Sequence, residues 1–451
     1  MKNIRNGINL VTPPLYVQEL NKPNSQTTPR TLLPRPSSYL KNPVQLPPNL
    51  NSARTTSMRK PTFFMGIDVI MSDANDNTPH PRVPDPARTR LNEFLRNPRT
   101  NIRSIPEYHQ RNFFFVVAHR SEAEFLEQMR IAQNILNARS DTKITLLVPR
   151  GYEQDFRNEI RSHARWALPF LQNQRIQIIG SNQESLWAQD FGEAVQRDGV
   201  NELLRPVPTP SGLISGLDTV LTNPHGRTTN IPIYFQGGDV TQTEVNGVPT
   251  VVIGQQSIDM TRCYYLQHNA YPISNDEIRL VIQQAFGVHN VIILANDNPL
   301  TANIDARDQL TQHSSQYAFH IDQYALFPSP GVVIMPSANF NVTGSQDREL
   351  SVYRENLIRV RDQLQQAGFR IIDIPADINH IRNHQSYTNG IPIQLENGST
   401  RLILPSFVGS EALETNIRGI LERNHFEVEF VRNETADVRG NTHCLTGSFG
   451  L

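Results

Sequence analysis

Apolar and polar positions follow two regimes along the 451 residues. From Asn112 onward, short apolar runs alternate with stretches whose apolar residues recur every three to four positions. The runs have the length of buried strands, and the stretches have the period of amphipathic helices. Residues 113–118 (FFFVVA) read as a strand. A helix follows at 122–137, with Phe125, Met129, Ile131 and Ile135 at helical spacing, and then a strand at 144–148. A second unit runs from a helix near 152–170 to a strand at 176–180. The third has strands at 250–253 and 291–294 around a helix through 277–286, and the fourth has 332–335, 349–366 and 370–374. The fifth is 402–404, 411–423 and 426–431. Each unit carries a helix that cannot bury its apolar stripe alone, so the units must pack on one another. Two architectures satisfy that demand: a radial α/β propeller and a doubly wound sheet. No Gly-x-Gly-x-x-Gly follows a strand and no P-loop occurs, and the pattern alone leaves both folds open.

The first 108 residues behave differently. They hold half of the 32 prolines, in clusters such as Pro13-Pro14, Pro34-Arg35-Pro36 and Pro47-Pro48. Proline removes donors and fixes φ, so residues 1–108 are expected to form a loop-like, partly disordered extension. Residues 109–451 then form the α/β domain. One strand-like island at 62–70 suggests a small β remnant over 60–76. The acidic turn after it, Asp73 to Asp76, lacks the spacing of an EF-hand and reads as a solvated loop.

Composition narrows the function. A formal charge of −1 gives no electrostatic footprint for nucleic acid or an anionic membrane. No run approaches the roughly 18 apolar residues of a membrane helix. No apolar h-region precedes the first prolines, so a cytoplasmic location is expected, with export by a signal-less route as the alternative. Two cysteines, Cys263 and Cys444, cannot build a disulfide framework or a multi-cysteine metal site.

Polar residues that strand cores do not need concentrate in four segments: Trp187-Ala188-Gln189-Asp190 with Glu193; Gln236-Gly237-Gly238-Asp239; His320-Ile321-Asp322; and Asn441-Thr442-His443-Cys444. Cys444 has polar and glycine neighbours, a setting that suits a nucleophilic thiolate. Cys263, in Arg262-Cys263-Tyr264-Tyr265, reads as packing. On an extended chain His320 and Asp322 would share one face and could move a proton beside a bound cation. Two carboxylates, a histidine and a thiol suit a planar, forked guanidinium, whose central carbon the sulfur can attack without a metal. A cysteine–histidine amide hydrolase is the competing chemistry, and it has little use for the extra carboxylates.

In order and spacing these segments resemble the guanidino-group-modifying, or pentein, superfamily over about residues 110–451. The Trp187-x-Gln189-Asp190-x-x-Glu193 pattern and the stretch after His320 are similar to peptidylarginine deiminases. Ser386-Tyr387-Thr388-Asn389-Gly390 is similar to agmatine deiminases. The resemblance implies a five-bladed, pseudo-symmetric α/β propeller behind the proline-rich extension. It also implies a deiminase that converts arginine in peptides or proteins to citrulline and ammonia. An agmatine-type deiminase or amidinotransferase acting on a small guanidine is the alternative, and a non-catalytic propeller used for binding is a third reading. Carried over, the catalytic residues are Cys444 as nucleophile, Asp190 and Asp322 as guanidinium ligands, and His320 as acid–base. Trp187, Gly237, Gly238, Asn441 and His443 would line the substrate site. No cofactor is required by the chemistry, and Ca²⁺ is a candidate on Gln189, Glu193 and Asp239. The partner is an arginine-containing peptide or protein, or alternatively agmatine or another small guanidine. The segment 201–230 would wall the mouth of the site.

Overall fold

In the computed structural model the described residues are 86–117, 122–181, 188–206, 226–267, 273–294, 320–340, 342, 348–434, 441–448 and 450–451. All lie in the larger of two compact units, Val69–Leu451. The island at 60–76 and its acidic turn fall outside them.

Among the described residues the strands form five sheets. The first joins β1 (Ile102–Ser104), β5 (Glu193–Arg197), β6 (Val200–Arg205) and β7 (Gly226–Asn230). The second joins β17 (Gly447–Ser448), β2 (Asn112–Val116), β3 (Lys143–Pro149) and β4 (Ile176–Ser181). The third has β8 (Val240–Val245), β9 (Val248–Gly254) and β10 (Asn290–Leu294), and the fourth β11 (Leu326–Ser329), β12 (Val332–Pro336) and β13 (Arg370–Ile374). The fifth has β14 (Ile391–Gln394), β15 (Thr400–Ser406) and β16 (Phe426–Arg432).

One plan recurs in all of them. One strand in each pairs antiparallel with one neighbour and parallel with the other: β6 with β5 and β7, β2 with β17 and β3, β9 with β8 and β10. The same holds for β12 with β11 and β13, and for β15 with β14 and β16. A parallel pair needs a crossover, which the helices Glu122–Ala138, Asn275–Phe286, Arg348–Gln366 and Glu411–Arg423 supply. Their ends are encoded locally. Ser274 and Glu277 form a reciprocal capping box on Asn275–Phe286, and Gly287 closes that helix at φ 66°. Glu122 and Glu124 place negative charge at the N-terminus of Glu122–Ala138.

The run Phe113-Phe114-Phe115-Val116 does not alternate because both of its faces are covered. Phe113 and Phe115 pack with Phe125, Met129 and Ile135 of the crossover helix. Phe114 and Val116 pack with Ala188 and Phe191 of the turn before β5 and with Leu203 of β6.

Five repeats are present, but they are not the five that periodicity predicts. The first two expected units merge into one sheet through β3, which pairs with both β2 and β4. The missing repeat is the β1–β5–β6–β7 sheet, built partly from the segment expected to be a loop wall. That wall is β6 and β7 at its two ends, and its residues 207–225 lie outside the described ones. Buried polar residues hide this sheet from a hydrophobicity pattern. Glu202 is fully buried against Arg99 at 2.5 Å, and Glu193 is buried between two glutamine amides. The fold also reaches into the proline-rich stretch. The helix Pro86–Arg96, β1 and the turn Glu107–His109 all precede residue 109, and β1 pairs with β5. No helix among the described residues is long and apolar enough to cross a membrane.

Candidate active site

The repeated plan places the candidate residues. In every repeat the segment just before the antiparallel partner strand makes a tight turn: Ala188–Phe191 before β5, Gly237–Asp239 before β8 and Ile321–Gln323 before β11. The same position holds 386–389 before β14 and 442–445 before β17. Ala188–Phe191 packs on Gly237–Asp239, which packs in turn on Ile321–Gln323. Short turns at strand ends are where a rigid scaffold can present polar groups without breaking its ladders.

Cys444 stands at the centre of the described cluster. Its Sγ lies 3.6 Å from Asp322 Oδ2, and the same oxygen accepts a 3.0 Å hydrogen bond from Nδ1 of His443. Asn389 Nδ2 donates to the sulfur from another side at 3.1 Å. Asp322, His443 and Asn389 are buried, whereas Cys444 is partly exposed.

His320 and Asp322 do come together, but by a different route from the one expected. His320 is extended, with φ −101° and ψ 153°, while Asp322 sits inside the Ile321–Gln323 turn. The two converge over Gly238, where a Cβ would lie 2.8 Å from both His320 Nδ1 and Asp322 Oδ2. Gly237 is equally constrained, because a Cβ there would meet the carbonyl oxygen of Gln189 at 2.0 Å. These glycines let one turn press against its neighbours. On the opposite side of the ring, His320 Nε2 lies 2.6 Å from Gln236 Oε1. A carbonyl oxygen only accepts, so this contact assigns the proton to Nε2 and the lone pair to Nδ1.

Burial and charge push the two histidines apart. Burial moves His320 down to about 4, against the attraction of Asp322 and with the help of His443. Burial would lower His443 as well. There the hydrogen bond to Asp322 and the charges of Glu107, Asp322 and Glu193 prevail, and its pKa rises to about 9. Glu107 Oε2 lies 3.9 Å from His443 Nε2. Burial raises Glu107 above the usual carboxylate range, and it raises Glu193 well above it, with Glu107 adding repulsion.

Glu193 and Asp239, two of the three residues expected as calcium ligands, have different partners. Glu193 Oε1 accepts from Gln189 Nε2 at 3.3 Å and Oε2 from Gln242 Nε2 at 3.0 Å. Asp239 Oδ2 instead accepts from the backbone and hydroxyl of Ser257, at 2.9 and 2.6 Å, which ties its turn to the helix Gln255–Gln267. Burial, partly offset by Ser257, lifts Asp239 to about 7. Among the described residues no three His, Cys, Asp or Glu side chains are grouped to hold a metal ion. Asn441 is buried and donates to the carbonyl of His384 at 3.2 Å. Trp187 and the side chains of Asp190 and Cys263 lie outside the described residues. The backbone of Asp190 falls in the Ala188–Phe191 turn, and that of Cys263 in the helix Gln255–Gln267.

The motifs did not expose Glu107, Gln242 or the parts played by Gln236 and Asn389. Each is a single polar residue whose partners are distant in sequence. A surface hollow lined by Tyr353, Asp377, His380 and Tyr387 includes none of Cys444, Asp322 and His320.

Neither a protein-family model nor a curated protein sequence matches the chain. Solved structures do. An agmatine deiminase of C. jejuni is 16% identical with a TM-score of 0.52, covering 78% of this chain and 96% of its own. An agmatine deiminase of Enterococcus faecalis, at 14% identity and a TM-score of 0.52, covers the same shares. The chain shares the fold of these deiminases. At these identities the likeness is one of fold, and the scaffold here carries its own set of turn residues.

Proposed function

We propose that this chain is a cysteine-dependent deiminase that hydrolyses the guanidinium group of a small guanidine of the agmatine type. The observation that carries the reading is the contact set around one sulfur: Cys444 beside Asp322, with His320 converging on Asp322 over Gly238. The sequence motifs lean towards arginine in proteins. Two structural neighbours are named for agmatine, which favours the small substrate. We take the five sheets to be five blades of one propeller, whose pre-strand turns meet at the site.

In this reading Asp322 and Asp190 grip the guanidinium nitrogens, with Trp187 and His443 lining the pocket. A carboxylate so close to the sulfur disfavours a bare negative charge there, and an arriving cation removes that penalty. Sγ attacks the central carbon while the thiol proton passes to His320. His320 returns that proton to the departing nitrogen, ammonia leaves, and a thiouronium on Cys444 remains. Water then attacks the same carbon, its proton goes to His320, and the C–S bond breaks to restore the thiol. The balance is guanidinium plus water giving a ureido product and ammonium. Calcium on Gln189, Glu193 and Asp239 is kept as a question for the assay.

The deciding experiment offers agmatine, free arginine and an arginine-containing peptide, each with Ca²⁺ or EDTA, and measures ammonia and ureido product against Cys444→Ala. Agmatine is expected to turn over best. Product from none of the three above the blank would end the hydrolase reading. Amidino transfer to an added amine without ammonia release would favour the amidinotransferase.

A further inference from the structure

The plan that repeats five times has one turn to which the motifs assign no role. Four of its copies supply Asp190, Gly238, the His320–Asp322 pair and Cys444. The fifth, at 386–389 before β14, carries Asn389 in the corresponding place, and Asn389 is fully buried.

Its neighbours fix the direction of its amide. Oδ1 accepts from the backbone N–H of His443 at 3.0 Å and of Cys444 at 3.3 Å, and those groups can only donate. Nδ2 is therefore the atom turned to Cys444, 3.1 Å from Sγ. The carbonyl oxygen of Asn389 accepts a further bond from His443 N at 3.1 Å, so two acceptors on one residue pin the nucleophile's backbone. Across the sulfur, 3.6 Å away, is the Asp322 carboxylate. A thiol here gives its proton towards Asp322 and receives one hydrogen bond from Asn389. When the thiol proton leaves, the Asn389 donor is already aimed at the charge that develops.

We propose that Asn389 is a further catalytic residue: its Nδ2–H hydrogen-bonds the sulfur of Cys444 as it becomes negative, while Oδ1 holds the nucleophile's backbone in register. No bond to Asn389 forms or breaks, and it keeps its protons throughout. The role in turnover rests on the deiminase reading above. The role towards the sulfur does not, because it can be tested without substrate. A hydrogen bond to the charged form favours that form, and one to a charged group is worth on the order of 10- to 100-fold in the equilibrium.

Asn389→Asp keeps the size and the acceptor atom but removes the donor, and Asn389→Ser removes its reach. For both variants and the wild type, the rate of iodoacetamide alkylation at neutral pH is measured, with Cys444 located by peptide mass spectrometry. The growth of the thiolate ultraviolet band as pH is raised, against Cys444→Ala, and kcat and KM for the best guanidine, complete the set. In folded variants, alkylation and kcat are expected to fall on the order of 10- to 100-fold and the band to weaken, while KM stays within about threefold. A folded Asn389→Asp that alkylates at the wild-type rate with an unchanged band overturns the proposal, and so does a loss carried by KM alone. If the wild type turns over no guanidine but alkylation still depends on Asn389, the deiminase reading fails and the sulfur contact stands. Should neither variant fold, the wild-type Asn389 side-chain amide is followed by nitrogen NMR before and after Cys444 is alkylated. A shift is expected, and none would overturn the proposal.

Discussion

Two histidines flank the Asp322–Cys444 pair, and their surroundings are opposite. His320 faces a neutral partner, Gln236, and burial holds it uncharged down to about 4. His443 lies between Asp322 at 3.0 Å and Glu107 at 3.9 Å, and keeps its proton up to about 9. At neutral pH one is a base ready to take a proton and the other is a fixed cation. Residue type decides neither role. The neighbouring turn does, by presenting an amide to one ring and carboxylates to the other.

The largest effect that would sharpen this contrast comes from the neutral ring. His320→Asn should cost roughly 10³–10⁴ in kcat, because proton transfer at both steps is lost. His443→Gln should cost only about 10- to 100-fold, as the loss of a charge-assisted contact to Asp322. Equal losses in the two variants would collapse the distinction.

A smaller and more diagnostic effect follows from exchanging the partner. Gln236→Glu places a carboxylate at His320 Nε2, which favours the imidazolium, so the acid limb of kcat/KM should move up by about one pH unit or more. An unmoved limb would mean that the limb reports another group.

Stability gives a third comparison. His443 binds its proton more tightly in the folded chain, at about 9, than at its ordinary value of 6.5. Its contribution is therefore complete below the ordinary value and is lost as pH rises through about 9. The melting-temperature advantage of the wild type over His443→Gln should shrink across that window, and a constant gap from pH 6 to pH 10 would contradict it. Smallest of all is the expected response to calcium. Glu193 already has an amide on each oxygen, so EDTA should change kcat by less than about twofold. A strong calcium requirement would show that the amides of Gln189 and Gln242 give way to an ion.

How far the sequence could be read depended on how local each signal was. The crossover helices and parallel strands were visible because apolar side chains carry their period, as in Phe113–Val116 and Glu411–Arg423. The β1–β5–β6–β7 sheet was not, because Glu193 and Glu202 are buried in it with partners from other segments. Cys444 and the His320–Asp322 pair stood out as chemical types. The turn that carries Asp322, the amide of Gln236 and the clamp of Asn389, 55 positions from Cys444, did not. Such contacts have no period and no spacing rule. They exist only once the turns of separate sheets are brought together.

The short strand β17 has a consequence for how the molecule is made. Gly447 and Ser448 pair with Phe114 and Phe113, and Gly450 accepts from the backbone of Arg111 and Asn112. Asn112 also reaches Gly450 across 338 positions of sequence. On the ribosome, β2 is complete long before its outer partner has been synthesised, and until then it presents an open edge to any other extended chain. The segment that closes this edge directly follows Cys444. One short segment therefore both closes the edge of β2 and carries Cys444 to its place beside Asp322. A chain ending before Gly447 would leave that edge of β2 open and would be prone to self-association.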